Sequence, residues 1–509
     1  MRLYENMNGE NSNPVIGSAT IGKLSDMKRI IKGTTKKYMK FFLLLISVFV
    51  LIAHGGYANA SFTIEDEKKL GKEFYEKIEK SGVLSDNARV NEYISRLGNH
   101  LVSIMPKSSP FEYRFSVIKS SAINAFATPG GYVYVNSGLI NLVENEGELA
   151  GVLSHEIGHV YARHVADIIE KSQKINIASL AAILAGAFLG GGGELTAAMA
   201  SFSMATAATL NLKYSREHEE EADRLGILFL TKAGYDGKAM LDFLKTMSQY
   251  EYYSSSVPSY FLTHPGTDMR IRYLDALLQT KYGSGGSQGL FRQLKRVQTI
   301  LALAGKDPDV NLKHFQTALS KNPRDVDSLY GMAVTQQKLG FINQSLDSFH
   351  KALILAPDDD DILRDLGIAY FNNGRPSEAA NYLRKAVEYN KNDLNALSYL
   401  GKSYEATGNY KSAIETYKYV ENKKPADVDV HYNLAVAYGR MNNLGESHYH
   451  FGIYFKKKNK QESALFHFRE ALKYFPADSR RAQDINNEMK PPKSPQAKDR
   501  KEPNIPGKF

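Results

Sequence analysis

Cysteine and tryptophan are both absent from the 509 residues. Without cysteine the chain has no disulfide, no thiolate metal site and no thiol nucleophile, so any metal ion must be held by His, Asp or Glu. Long apolar runs are missing too. Residues 41–53, thirteen apolar or small side chains, form the one unbroken hydrophobic stretch, short of the ~17–25 residues that span a bilayer. A polytopic membrane protein is thereby excluded. An apolar content of 43% with 23% charged residues also excludes a wholly disordered chain. The length implies roughly two to four domains. Excess charge is lacking in the middle of the chain: of the formal +9, residues 1–40 hold +5 and residues 490–509 hold +4. The folded part offers no basic groove and is not expected to bind nucleic acid.

The N-terminal end carries addressing information. Lys36, Lys37 and Lys40 precede the apolar run, and Ala58-Asn59-Ala60 follows it. A basic start, a short apolar core and an A-x-A end form the pattern of a secretory signal peptide, here cleaved after Ala60. Met27 or Met39 is an alternative start, and an uncleaved N-terminal anchor is the competing reading. Either way the bulk of the chain is expected outside the cytoplasm, in the periplasm if the source has two membranes. Residues 477–509, Pro- and Lys-rich from Pro491, are expected to form a disordered basic tail.

Between these ends, apolar spacing predicts a helix over residues 64–104, a strand over 113–120 and one helix over 146–169. Pro129-Gly130-Gly131 reads as a turn leading into a short strand ending at Val135. Two small-residue apolar segments, 175–189 and 195–210, flank Gly190-Gly191-Gly192-Gly193 and predict a helical hairpin, either buried or in peripheral contact with a membrane. Residues 213–233 form a further helix. Gly283-Ser284-Gly285-Gly286-Ser287 is expected as a flexible break that closes a first domain of residues 61–285.

A repeat follows over residues 290–476. Gly367 and Gly401, Gly374 and Gly408, and Ala379 and Ala413 are each 34 apart, as are Tyr370 and Tyr404, while Pro323, Pro357 and Pro425 fall on the same period. That pattern resembles tetratricopeptide repeats, helix pairs that stack into a solenoid with a concave docking face. Gly452 lies only 17 residues after Ala435, half a period, so one helix there is expected to serve two units. Fourteen of the 31 Tyr lie in this region; most are expected to be packing residues rather than ligand contacts.

Chemistry is concentrated in two segments. His155-Glu156-Ile157-Gly158-His159 is an H-E-x-x-H motif. On a helix the two His, four apart, project from one face and can bind one metal ion, with the Glu156 carboxylate beside it. A catalytic zinc site needs a third protein ligand. About sixty residues on lies Arg216-Glu217-His218-Glu219-Glu220-Glu221-Ala222-Asp223. Glu219 can supply a carboxylate ligand, and Asp223, one turn later, can hold the free ring N–H of a ligand His. Glu217, His218, Glu220 and Glu221 compete for the same register. His164, five residues beyond His159, falls off the ligand face and is read as structural.

H-E-I-G-H followed by E-x-E-A-D-R-L-G resembles the Ste/HtpX-type zinc metallopeptidases, which include the CAAX prenyl proteases. The family places its glutamate ligand three residues before the Ala-Asp pair, which implies Glu219. The resemblance covers roughly residues 62–476 and is strongest with a secreted branch that carries tetratricopeptide repeats. It implies a zincin-like metallopeptidase domain, mainly α with a small β-sheet, followed by the α-solenoid, with one Zn2+ per chain. Relatives in that branch carry His-Pro-x-x-x-x-Arg-Ile, which here is His264 to Ile271. This implies that His264 takes the fourth zinc position and keeps the enzyme latent, and that Arg270 stabilises developing negative charge or fixes the loop. The implied substrates are unfolded or misassembled proteins, namely outer-membrane β-barrels, with the repeats docking clients or the assembly machinery. The residues 126–135 would pair with an extended substrate at a sheet edge. Two other readings compete with this one: a non-proteolytic repeat scaffold or chaperone whose metal site is capped, and an integral membrane protease.

Overall fold

The computed structural model describes residues 62–106, 109–171, 214–253, 259–282, 285–305 and 307–490. The expected signal peptide, the apolar hairpin at 175–210 and the tail from residue 491 lie outside them. Helices dominate, around a single three-stranded sheet.

The first helix, α1 (Ile64–Ser81), opens with a reciprocal cap between Thr63 and Asp66. It stops at Gly82, whose left-handed backbone (φ 72°) suits glycine alone without strain. Asn87 then caps α2 (Ala88–Ser103). The helical stretch expected over 64–104 is thus two helices, and the chain turns at Gly82 so that Leu84 can bridge to Ile118.

Three strands follow, β1 (Arg114–Ile118), β2 (Ala125–Thr128) and β3 (Tyr132–Asn136). β3 is central, parallel to β1 with Phe115 opposite Val133, and antiparallel to β2 with Ala127 opposite Val133. Alternation sends Phe115, Val117, Val133 and Val135 into the main core, and Ile118, Phe126 and Tyr134 into a second core against Leu70 and Phe74 of α1. The Gly130-Gly131 turn has φ of 83° and 97°. A Cβ on Gly131 would sit 2.4 Å from the Glu112 carbonyl oxygen, so the close backbone approach these glycines allow is to the protein's own chain.

After α3 (Ser137–Leu142) comes α4 (Glu146–Tyr161), buried along nearly its whole length. The helix expected to run to residue 169 breaks at Arg163, which has φ 58°. Its guanidinium reaches back to the buried Glu67, with Nε 2.6 Å from Oε1. The chain then resumes as α5 (His164–Lys171). Beyond it lie α6 (Arg216–Lys232), α7 (Lys238–Tyr253), α8 (Ser259–Thr263) and α9 (Thr267–Leu277).

The glycine-rich break is tied down where it is described. Buried Glu146 accepts hydrogen bonds from the Leu290 and Phe291 backbone N–H groups at 2.7 and 2.9 Å, and from the hydroxyls of Tyr93 and Tyr235. Residues 285–291 are thus a strap over the main core rather than a free linker. They lead to α10 (Leu294–Gly305), whose Leu294, Val297 and Leu301 join the main core while Leu303 joins the first repeat core.

The repeats comprise α11 (Pro308–Lys321), α12 (Val326–Lys338), α13 (Ile342–Leu355), α14 (Asp360–Asn372), α15 (Pro376–Tyr389), α16 (Leu394–Ala406), α17 (Tyr410–Lys423), α18 (Val428–Arg440), α19 (Leu444–Lys457), α20 (Gln461–Leu472) and α21 (Arg480–Met489). Turns within a pair use a left-handed residue: Gly340, Gly374 and Gly408, then Asn442 and Asn459. α19 is flanked by such turns on both sides. A Cβ on Gly401 would strike the Tyr417 ring at 2.3 Å, and one on Gly452 the Phe468 ring at 2.4 Å, sixteen residues on in each case. α19 is therefore second helix to α18 and first helix to α20. Tyr330, Tyr370, Tyr417 and Tyr438 are buried in the repeat cores, whereas Tyr389, Tyr419, Tyr432 and Tyr474 are exposed.

The expected disorder from residue 477 is corrected. Ser479 caps α21, which buries Ala482 and Ile485 and pairs Arg481 with Glu446 at 3.0 Å. Among the described residues no helix is long and apolar enough to cross a membrane.

The N-terminal unit and the repeats are also joined ionically. Arg296 of α10 meets Asp327, Asp359 and Asp361 at 2.6, 2.7 and 3.2 Å, and Arg89 of α2 meets Asp360 at 2.7 Å. Removing one partner of such a buried network strands the others' charge. Arg296→Met is expected to lower stability by about 3 kcal/mol in equilibrium urea unfolding; no measurable change would show the network to be dispensable.

Candidate active site

The two chemical segments meet because two helices cross closely. α4 carries His155 and His159 one turn apart, and α6 lies against it. At the crossing a Cβ on Gly158 would fall 2.8 Å from the Ala222 carbonyl oxygen, and one on Gly226 would fall 3.1 Å from the His155 Cα. Only glycine at both positions lets the backbones approach this far. Ser215 caps α6 by accepting from the His218 N–H, which sets the register of the acidic run. Glu219 is buried, whereas Glu217, Glu220 and Glu221 face solvent. Burial settles which carboxylate meets the imidazoles.

Four donor groups converge. His155 Nε2 and His159 Nε2 are 3.0 Å apart. The Glu219 oxygens lie 3.4 Å from each. His264, directly after α8, brings Nδ1 to 3.0 Å from Glu219 and 3.3 Å from His155 Nε2. All four residues are at most 1% exposed. A tetrahedron of ligands bonded at ~2.0–2.1 Å to zinc has edges of about 3.3–3.4 Å. The donor set fits that ion in kind as well as spacing, since imidazole nitrogen and carboxylate oxygen are its ordinary protein ligands.

The surrounding groups orient this set. Asp223 Oδ1 lies 2.8 Å from His155 Nδ1, so the Nδ1–H is given to Asp223 and Nε2 presents its lone pair to the centre. Arg270 bridges Asp223, at 2.8 and 2.7 Å, and Glu219, at 2.7 Å. Its buried guanidinium is spent on two carboxylates and holds them in place. His164 does more than pack: the break at Arg163 turns it so that its Nδ1 lies 2.9 Å from His159 Nδ1, and its Nε2 lies 3.2 Å from Glu221. His218 is no ligand; it stacks on His164 and bonds Asp167 at 2.9 Å.

Two buried carboxylates are driven in opposite directions. Burial pushes Glu156 above the usual carboxylate range, with His264 and His155 opposing it. Burial acts on Glu219 as well, but His264, Arg270 and His155 outweigh it and hold the group well below that range. Divergent carboxylates of this kind divide the work of ligand and proton carrier. Both Glu156 oxygens are buried without a hydrogen-bond partner, and Oε1 faces His264 Nε2 at 3.4 Å. Sequence reasoning missed two aromatic walls. Tyr260 stacks on His264 at 4.4 Å, and Tyr214 stacks on His159 at 3.8 Å. Tyr260 stands four residues before His264 and was legible by spacing; nothing local to Tyr214 marks it.

A buried H-E-x-x-H helix completed by a glutamate from a second helix defines a metallopeptidase with a glutamate ligand. Comparison with known proteins agrees: residues 86–278 match the model of peptidase family M48, and residues 330–395 and 364–428 match tetratricopeptide repeat models. The chain thus carries a metalloendopeptidase domain similar to peptidase family M48, followed by tetratricopeptide repeats. It is 34% identical over 270 residues to the Putative beta-barrel assembly-enhancing protease of Vibrio cholerae, a match spanning 52% of this chain and 55% of that one. It is 29% identical over 396 residues to the Beta-barrel assembly-enhancing protease of Escherichia coli K12, spanning 70% and 80%. The Mitochondrial metalloendopeptidase OMA1 of Schizosaccharomyces pombe is 28% identical over 219 residues, spanning 42% and 62%.

Asp223 touches the donor set only through His155 and Arg270. Asp223→Asn is expected to weaken zinc affinity about 10–100-fold, read by competition with a chromophoric chelator. Unchanged affinity would remove Asp223 from the site.

Proposed function

We propose that the protein is a zinc-dependent endopeptidase, exported to the periplasm, that cleaves outer-membrane proteins which fail to assemble. Its repeats hold the client or the assembly machinery. The observation that carries the reading is the convergence of His155, His159 and Glu219 beside an unpartnered, proton-prone Glu156. The names of the bacterial relatives support the choice of client.

His155, His159 and Glu219 would hold the zinc. The ion would supply Lewis acidity, lowering the pKa of a water toward about 7 and polarising a scissile carbonyl. Glu156 takes the proton of the attacking water and delivers it to the leaving amine. Arg270 and Asp223 keep the ligands aimed. β2 is an edge strand beside α4, where an extended substrate can add by backbone pairing. His264 is the fourth donor; seated between Glu219 and Glu156, it takes the space that water and substrate need, and so holds the enzyme latent. The segment 175–210 is the candidate for peripheral membrane contact.

Casein hydrolysis measured beside zinc content tests this. Glu156→Gln should lose about 10²–10⁴-fold in rate with zinc unchanged, and chelator should abolish hydrolysis. Client loss that persists in Glu156→Gln would favour the capped scaffold instead. His264→Ala should raise hydrolysis; a fall at unchanged zinc content would overturn its latent role.

A further inference from the structure

A second set of metal-type donors lies in the repeats, far from the H-E-x-x-H helix in sequence. Glu421 stands near the end of α17, His431 in the first turn of α18 and His450 in the middle of α19. His431 Nδ1 lies 3.2 Å from Glu421 Oε1, and His450 Nδ1 lies 3.7 Å from the same oxygen. The two Nδ1 atoms are 3.5 Å apart. These spacings are close to the 3.0–3.4 Å of the catalytic donors, and to the edge of about 3.3–3.4 Å expected for a zinc tetrahedron. Both imidazoles are at most 5% exposed.

The internal register of the repeats shows what was exchanged to place them there. Stepping back by 34 residues from His431 gives Leu397, Leu363 and Leu329, all buried in repeat cores. Stepping back from Glu421 gives Val387 and Leu353, both packed against a core. At two of the three positions an aliphatic side chain has given way to an ionisable one. Such a replacement loses packing and buries polar atoms, a combination that is unfavourable unless the polar groups gain a strong partner.

We propose that Glu421, His431 and His450 bind a divalent transition-metal ion of the zinc type, a structural site separate from the catalytic centre. The ion fastens α17, α18 and α19 to one another where α19 serves two units and the regular period slips. Glu446 stands outside the donors with Oε2 3.8 Å from His450 Nε2, the place of a carboxylate that orients a metal-bound imidazole, and Arg481 steadies it from the other side at 3.0 Å. Tyr438 stacks on the His450 ring. The Glu421 side chain is 29% exposed, which leaves a solvent approach for the ion and for a water in the fourth position.

The test counts zinc equivalents bound by the metal-stripped full-length protein, in competition with a chromophoric chelator. Wild type should take two equivalents and Glu421→Gln one. His431→Leu restores the aliphatic residue of the other repeats, should also take one, and stays folded by circular dichroism. One equivalent in all three proteins, or two in all three, overturns the proposal. One equivalent in wild type and none in Glu421→Gln supports it while showing that the catalytic centre does not hold zinc, so this proposal and the catalytic one fail separately.

Discussion

The close crossing of α4 and α6 is the constraint on which the catalytic domain depends. Two imidazoles on one helix cannot complete a metal site, and the carboxylate that completes it comes from a helix about sixty residues further on. Glycine at 158 and 226 removes the side chains that would hold the two backbones apart. The motif residues and their glycine neighbours are thus one design: the ligands make the chemistry, and the glycines make the ligand distance. The sheet, α2 and α7 then bury α4 so fully that its polar face has only other protein groups, or an ion, to meet.

That burial explains how the polar residues are organised. Asp223, Arg270, His164 and Glu221 form an outer ring in which each ligand is aimed by a charged or hydrogen-bonding neighbour. Low polarity inside the ring magnifies these interactions. It also separates Glu156 from Glu219: the same burial acts on both, and only Glu219 has enough positive partners to reverse it. The roles follow from the neighbours, since the two side chains are chemically identical.

Much of this was legible in the sequence. The H-E-x-x-H motif was marked by spacing, Glu219 and Asp223 were candidates in an acidic run whose register only the resemblance fixed, and His264 and Arg270 came from the resemblance alone; the structure brings all of them together. The repeat period and its half-step were legible as well, because the glycine that accepts a large side chain of the following helix, Leu383, Tyr417 or Phe468, recurs at fixed offsets. The misses share a cause. The helix expected over 146–169 is broken at Arg163, and the helical stretch expected over 64–104 divides at Gly82, both left-handed residues. Their apolar pattern continues across the break, so periodicity alone does not see it. Arg163 adopts that backbone because its guanidinium is drawn to buried Glu67, a partner nearly a hundred residues away. The same break moves His164 from the wrong helix face onto His159. The strap at 285–291 looked flexible from its glycines, and Glu146, which binds it, is also remote in sequence.

α10 belongs to two cores at once, placing Val297 in one and Leu303 in the other. A helix in that position is a poor hinge, since bending it would bring apolar side chains on both sides into water. The peptidase and the solenoid are consequently welded rather than tethered. Denaturant should meet them as one cooperative body, and severing the chain within α10 would leave each half with an open hydrophobic wound.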